Sequence, residues 1–258
     1  MNEGVVFAQQ NRHLDAVERL EKAVAIDPTN DQAYYNLGLV HIDMQKFERA
    51  KDDFERAIAA NGEVAGYHEK LGTAFIELEA WPQAKEALEK ALKLDSTLFK
   101  GSFKLAQVLE QLDDPQNALY KYTEAIKRGP RFLEAYASLG SLYADLGYPD
   151  HAIQVLRGGL QVAQPNTEEE ANLHHLLGTV YQQQNDLGKA VEHFRQAVKI
   201  LPGMQDALFS LGWTYSLQDR RQEARRYLQR FVEVAGAQTE AHYIQAAKDR
   251  LAELNEDL

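Results

Sequence analysis

Residues 31–64 read DQAYYNLGLVHIDMQKFERAKDDFERAIAANGEV, and within them Tyr34, Leu37, Gly38, His41, Ala50, Phe54 and Ala57 keep a spacing that the rest of the chain repeats. The small residue at Gly38 recurs as Gly4, Gly72, Ala106, Gly140, Gly178 and Gly212, every interval being 34 residues except one of 38. An alanine lies 12 residues after each of them, at Ala16, Ala50, Ala84, Ala118, Ala152, Ala190 and Ala224. Pro28, Pro130 and Pro202 stand 24 residues after the small residue, and Gly62 falls where a turn is expected. A register held this long means one supersecondary unit that buries its apolar face by stacking on copies of itself.

Each unit carries two apolar stripes at helical spacing, such as Leu105, Leu109 and Leu112 followed by Leu119, Tyr122 and Ile126. That pattern predicts a pair of amphipathic helices. Helices approach closely only where side chains are short, so Gly72 is expected to face the region of Ala84, with Ala91 meeting the next unit. Proline lacks a backbone donor and blocks continuation, so Pro130 and Pro202 are expected to end second helices.

These residues resemble the tetratricopeptide repeat, whose 34-residue signature runs through a Trp, a Leu-Gly pair, a Tyr, an Ala, a Phe and a Pro. The resemblance covers nearly all of residues 1–238. The Trp position holds Tyr34, His68, Ser102, Tyr136, His174 and Leu208 instead, and Ala106 stands in for a glycine, substitutions that bear on packing quality rather than fold. The resemblance implies an all-α, right-handed superhelical solenoid of antiparallel helix pairs. About seven repeats are expected near residues 1–30, 31–64, 65–98, 99–132, 133–166, 171–204 and 205–238, with a capping helix over 239–254. Because stacked repeats bury one continuous core, residues 1–258 are read as a single domain.

Composition narrows the function. The chain is 45% hydrophobic and 26% charged, with no apolar run near the ~20 residues of a membrane span. It is read as not membrane-spanning. A net charge of −11 argues against nucleic acid, whose phosphates require clustered basic residues. The absence of cysteine removes disulfides, thiolate metal sites and a cysteine nucleophile, and leaves both cytoplasm and periplasm open. Among eight histidines, His174, His175 and His193 share one unit, yet no HExxH motif or glycine-rich phosphate loop accompanies them. His174 takes the large packing slot held elsewhere by Tyr34 and Tyr136, and is read as a core residue. The acid pairs Asp52, Asp53 and Asp113, Asp114 lack a convergent base or nucleophile. No catalytic residue, metal or cofactor is expected.

Met1 falls inside the first helix of the first unit, so the chain reads as cut from something longer. At the other end Thr239 is expected to cap the final helix, with Ala241, Ile244, Ala247 and Leu251 as its apolar stripe. The 38-residue interval comes from four extra residues, Thr167 to Glu170, read as an added helical turn capped by Asn166 or Thr167 and favoured by acidic groups at the helix dipole's positive end. With Gly158 and Gly159 inside the preceding helix, this stretch reads as a seam between two halves.

In such a solenoid the first helix of each pair lines the concave face. The stripe beside the buried positions supplies the expected partner-binding groove: Tyr35, Asn36, Leu39 and Ile42; Lys70, Thr73 and Ile76; Lys100, Phe103, Lys104 and Gln107; His175 and Thr179; Phe209 and Trp213. Apolar groups there suit burial by an extended segment or amphipathic helix. Lys70, Lys100 and Lys104 form a basic island fitted to a carboxylate. The lysine–asparagine clamp of chaperone-binding tetratricopeptide proteins is not matched, since Tyr35 and Leu39, or Glu69 and Thr73 one unit later, hold its places. An asparagine ladder would retain only Asn36. The expected function is a non-catalytic adaptor for a protein or peptide segment. The alternative is an assembly element, similar to the lipoproteins that assist pilus secretins, acting through its ends or self-associating through the incomplete first repeat.

Overall fold

A computed structural model describes residues 2–236 and 238–256. Among them are fifteen α-helices and no strand. The contacts divide the chain into two compact units at Gly129–Pro130.

The first unit holds four helix pairs: α1 (Asn2–Gln9) with α2 (His13–Ile26), α3 (Asp31–Asp43) with α4 (Phe47–Ala60), α5 (Ala65–Glu77) with α6 (Trp81–Leu94), and α7 (Phe99–Gln111) with α8 (Pro115–Arg128). The second holds α9 (Leu133–Asp145) with α10 (Pro149–Val162), α11 (Glu168–Gln183) with α12 (Leu187–Ile200), and α13 (Gln205–Leu217) with α14 (Arg221–Val234), followed by α15 (Ala241–Glu256). α2, α8 and α12 each stop two residues before Pro28, Pro130 and Pro202.

The repeating small residue interlocks each pair. A Cβ added at Gly38 would stand 2.5 Å from the ring of Phe54, and at Gly178 2.5 Å from the ring of Phe194. Leu88 meets Gly72 in the same way, with the carbonyl of Ala84 at 3.5 Å. The small residue thus receives a large one sixteen positions later, and the alanine twelve positions later lets the two backbones meet. All seven of those alanines are 0% exposed. Where Ala106 replaces glycine the opposing residue is Tyr122, buried beside it.

The turn inside each pair repeats too. Asn11, Gln45, Glu79, Asp113, Gly147, Asn185 and Asp219 all adopt positive φ, between 54° and 78°. Each lies seven residues after the small residue and reverses the chain between the two helices. The backbone of Lys46 then closes the turn by donating to the carbonyl of His41 at 2.8 Å, a hydrogen bond that satisfies an end carbonyl of α3.

The four extra residues do lengthen a helix: α11 has 16 residues against 13 in α9 and α13. The Thr167 hydroxyl caps it by accepting from the Glu170 amide at 3.2 Å, and Glu170 answers by accepting from the Asn166 amide at 2.6 Å. The stretch is no seam. A Cβ on Gly159 would lie 3.0 Å from both Tyr136 and Leu173, so the glycine serves close packing among α9, α10 and α11. Thr239 does not cap α15. Its hydroxyl accepts from the Gly236 amide at 3.0 Å and donates to Gln205 Oε1 at 2.6 Å, tying the preceding loop to α13.

Candidate functional site

In the first unit the stripe residues fall into two groups. Tyr35, Leu39 and Ile42 of α3 are half-buried against a cluster containing Ala50, Phe54, Leu71, Ala74 and Ala87, so they help join α4 to the following pair. The Tyr35 ring lies 5.0 Å from Tyr67 and 5.9 Å from Phe54, and burial, with the charge of Glu69 behind it, raises its phenol above the usual range. Tyr67 is fixed more tightly. Its hydroxyl accepts from Gln32 at 2.6 Å and donates to Asp31 at 3.0 Å, and burial followed by the Asp31 carboxylate pushes it up to about 12. Asn36 is half-buried beside them, its amide making no hydrogen bond among the described residues.

The basic group lies on α5 and α7. Lys104 is 22% exposed and donates to Thr73 Oγ1 at 2.7 Å and to Glu69 Oε1 at 3.1 Å. Burial pulls its pKa below the usual lysine range, against the attraction of Glu69, and the charges of Lys70 and Lys100 pull the same way. Thr73 in turn donates to the Glu69 carbonyl. Lys104 is therefore committed within the face, while half-buried Lys70 and exposed Lys100 make no ion pair among the described residues. Ile76 is half-buried and Gln107 exposed. Phe103, half-buried, lies 5.5 Å from Tyr122.

In the second unit three stripe residues meet in one cavity. A space of about 570 Å³ opens between α11, α13 and the start of α15, lined by His175, Thr179, Gln182, Gln205, Asp206, Phe209, Ser210, Phe231, Gln238, Thr239, Glu240 and Tyr243. Its aromatic wall is built on Phe209, whose ring meets Phe231 at 5.3 Å and Tyr243 at 5.1 Å, both edge-on. That is a favoured arrangement for aromatic quadrupoles. His175 Nε2 lies 3.2 Å from Ser210 Oγ, and burial lowers the pKa of its imidazole, with Asp206 opposing. Thr179 donates to the His175 carbonyl, and Gln182 donates to Thr214.

Trp213 stacks on Phe209, with ring centroids 5.7 Å apart. It borders a separate space of about 400 Å³ together with Ala246, Asp249, Arg250 and Glu253 of α15. Tyr243, Glu240 and Gln205 were outside the sequence expectation. Tyr243 lies next to the predicted apolar residue Ile244 on α15, and its ring packs edge-on against Phe209.

A second cluster lies apart from these stripes. His174 is half-buried rather than sealed in the core, because His193 of α12 shares its slot: the two Nδ1 atoms are 3.0 Å apart. Burial, then the neighbouring His174, drives His193 down to about 4. Tyr181 stacks on His193 at 5.5 Å and accepts from Arg157 at 2.9 Å. Among the described residues no group of three or more histidine and acidic side chains could hold a metal ion, and no helix is long and apolar enough to cross a membrane.

Stacked helix pairs with a small residue at the crossing and an accessible first-helix face define a helical repeat protein. The "TPR repeat" family matches residues 4–45, and three "Tetratricopeptide repeat" families match 32–63, 131–203 and 181–248. The chain belongs to the tetratricopeptide repeat family. It is 26% identical over 126 residues to the mouse protein O-mannosyl-transferase TMTC1, a match covering 49% of this chain and 13% of that protein. Among solved structures, the C-terminal part of a TPR repeat-containing protein from Cytophaga hutchinsonii superposes with a TM-score of 0.75 at 15% identity, over 95% of this chain and 98% of that one. YrrB, described as a TPR protein with an unusual peptide-binding site, gives 0.61 at 23% identity over 74% of this chain and 97% of its own.

Proposed function

We propose that the chain is a non-catalytic adaptor that captures a segment of a partner protein along its first-helix faces. The observation that carries this reading is the cavity in the second unit, where His175, Thr179 and Phe209, three residues placed on one stripe by repeat phase, line a single space of about 570 Å³. That size falls in the range of about 300–1,000 Å³ expected of sites that enclose a ligand. The peptide-binding description of YrrB supports the reading by analogy of fold. The transferase named among the relatives does not extend it, since the match spans so small a part of that protein.

The test is a random dodecamer library panned on the full chain. Binders are expected, and Phe209→Ala is expected to weaken them about tenfold while far-UV circular dichroism stays unchanged. A library that returns no binder sensitive to Phe209 would overturn the reading.

A second reading, assembly by self-association through the first repeat, has its own support in exposed apolar residues there: Val6 at 47%, Leu14 at 75% and Ile26 at 85%. Sedimentation velocity separates the two. A monomer at micromolar concentration favours the adaptor, and a concentration-dependent oligomer dispersed by Leu14→Lys favours assembly.

A further inference from the structure

We propose that the α11–α13–α15 cavity is a receptor for a cationic side chain, arginine above lysine, carried by the captured segment. The inference rests on the adaptor reading and names the chemistry of its partner.

The cavity offers two things to a bound group. One is an aromatic wall: Phe209, backed by Phe231 and joined by Tyr243, whose side is open enough to leave the residue 43% exposed. Such a wall takes the aliphatic stem of a long side chain and attracts a cation over its ring faces. The other is uncompensated negative charge. Asp206 makes no ion pair or side-chain hydrogen bond among the described residues, and Glu240 meets only the exposed His242 at 3.2 Å.

Most of the remaining polar groups are already engaged. Gln205 accepts from Thr239 and donates to the Val234 carbonyl, Gln182 donates to Thr214, and Thr179 donates to the His175 carbonyl. They shape the space and leave the carboxylates to supply recognition.

No lysine or arginine lines the cavity, and none occurs in α9, α11 or α13, whereas those three helices carry Glu134, Asp145, Glu168, Glu169, Glu170 and Asp206. The carboxylates at the cavity therefore repel an anionic guest, and a neutral apolar guest would strand the Asp206 charge beside it. Arginine is preferred because its planar guanidinium stacks on a ring while its fork of N–H donors engages a carboxylate. A lysine ammonium does only the second.

The experiment uses the same dodecamer library on the full chain, panned in parallel on wild type and on the isosteric double variant Asp206→Asn/Glu240→Gln, with circular dichroism as the folding control. Binders that depend on Phe209 are expected to share one basic position. Replacing that arginine by citrulline, which keeps the shape and removes the charge, is expected to cost about tenfold in affinity on wild type and almost nothing on the double variant. Raising ionic strength is expected to close the gap on wild type. Phe209-dependent binders without a shared basic position, or a citrulline effect equal on both proteins, would overturn the assignment and leave the adaptor standing. Absence of any binder would overturn both.

Discussion

The first-helix faces of the two units treat charge in opposite ways. In the first unit α5 and α7 bring three lysines together, and Lys104 is drawn inward, paired with Glu69 and hydrogen-bonded to Thr73. In the second unit α11 and α13 bring no lysine or arginine, and the equivalent space is walled by Phe209 and Tyr243 and edged by carboxylates. Beneath both faces lies the same interlock of a glycine against a large side chain sixteen residues on. The packing slots are constrained by close approach of helix axes. The stripe beside them is not, so it is where copies of one unit become chemically different.

The largest effect is expected where the two units are alike. Gly38→Leu and Gly178→Leu each drive a side chain into a phenylalanine ring already 2.5 Å from the first added carbon, and each is expected to cost about 3 kcal/mol or more in urea unfolding. A small loss at one site with a large loss at the other would break the claim of a shared framework.

Next comes the contrast in charge. Glu69→Ala leaves the mostly buried Lys104 ammonium with Thr73 alone and is expected to cost about 1–3 kcal/mol, whereas Asp206→Ala, on an exposed carboxylate without a partner, stays within about 0.5 kcal/mol. The pH dependence has a definite sign. A lysine whose folded pKa is lowered binds its proton more tightly when unfolded, so Lys104 subtracts stability at neutral pH. The subtraction fades as pH rises through the folded value toward the ordinary ~10.4. The stability of wild type relative to Lys104→Met is therefore expected to climb between pH 7 and 10. A decline over that interval would mean that the attraction of Glu69 outweighs burial at Lys104.

Sequence phase carried the helix pairs, the interlock, the Thr167 cap and the proline stops, because each depends on local spacing or on one short contact at a fixed offset. It placed His175, Thr179 and Phe209 on one stripe, and all three line the cavity between α11, α13 and α15. It did not distinguish the half-buried side of Tyr35, Leu39 and Ile42, since helical periodicity fixes a residue's direction about its own axis but not which neighbouring helix covers that direction. The contribution of Tyr243 and Glu240 was illegible for another reason: it depends on where α15 begins, and Thr239 bonds back to Gly236 and Gln205 instead of capping that helix. The pairing of His174 with His193 needs two helices in register, and residue type at one slot does not report it.

That histidine pair sharpens the comparison further. In the second unit His174 and His193 face each other, while in the first the buried His41 faces the Asp53 carboxylate at 2.6 Å. With His193 held near 4 and the unfolded value near 6.5, the unfolded chain binds more protons between those limits. Stability is thus lost as pH falls from about 6.5 toward 4, by about 1 kcal/mol once solvent access to the half-buried rings is allowed for. His193→Gln is expected to flatten the midpoint shift between pH 7 and pH 5, and an unchanged shift would remove the pair as its source.

The smallest expected effect separates the units at their turns. The positive-φ residue is Asn11, Gln45, Glu79 or Asp113 in the first unit, and Gly147, Asn185 or Asp219 in the second. Left-handed backbone costs a long side chain about 1 kcal/mol or more relative to glycine, part of which glycine returns through its freer unfolded state. Glu79→Gly is therefore expected to stabilise by about 0.5 kcal/mol. Gly147→Ala is expected to destabilise by about 1 kcal/mol purely through the backbone, because a Cβ there would meet nothing within 4 Å. Asn185→Gly should be nearly neutral, since asparagine tolerates this conformation. Denaturant midpoints with unchanged m-values would read all three, and a destabilised Glu79→Gly would mean that the Glu79 side chain supports the turn.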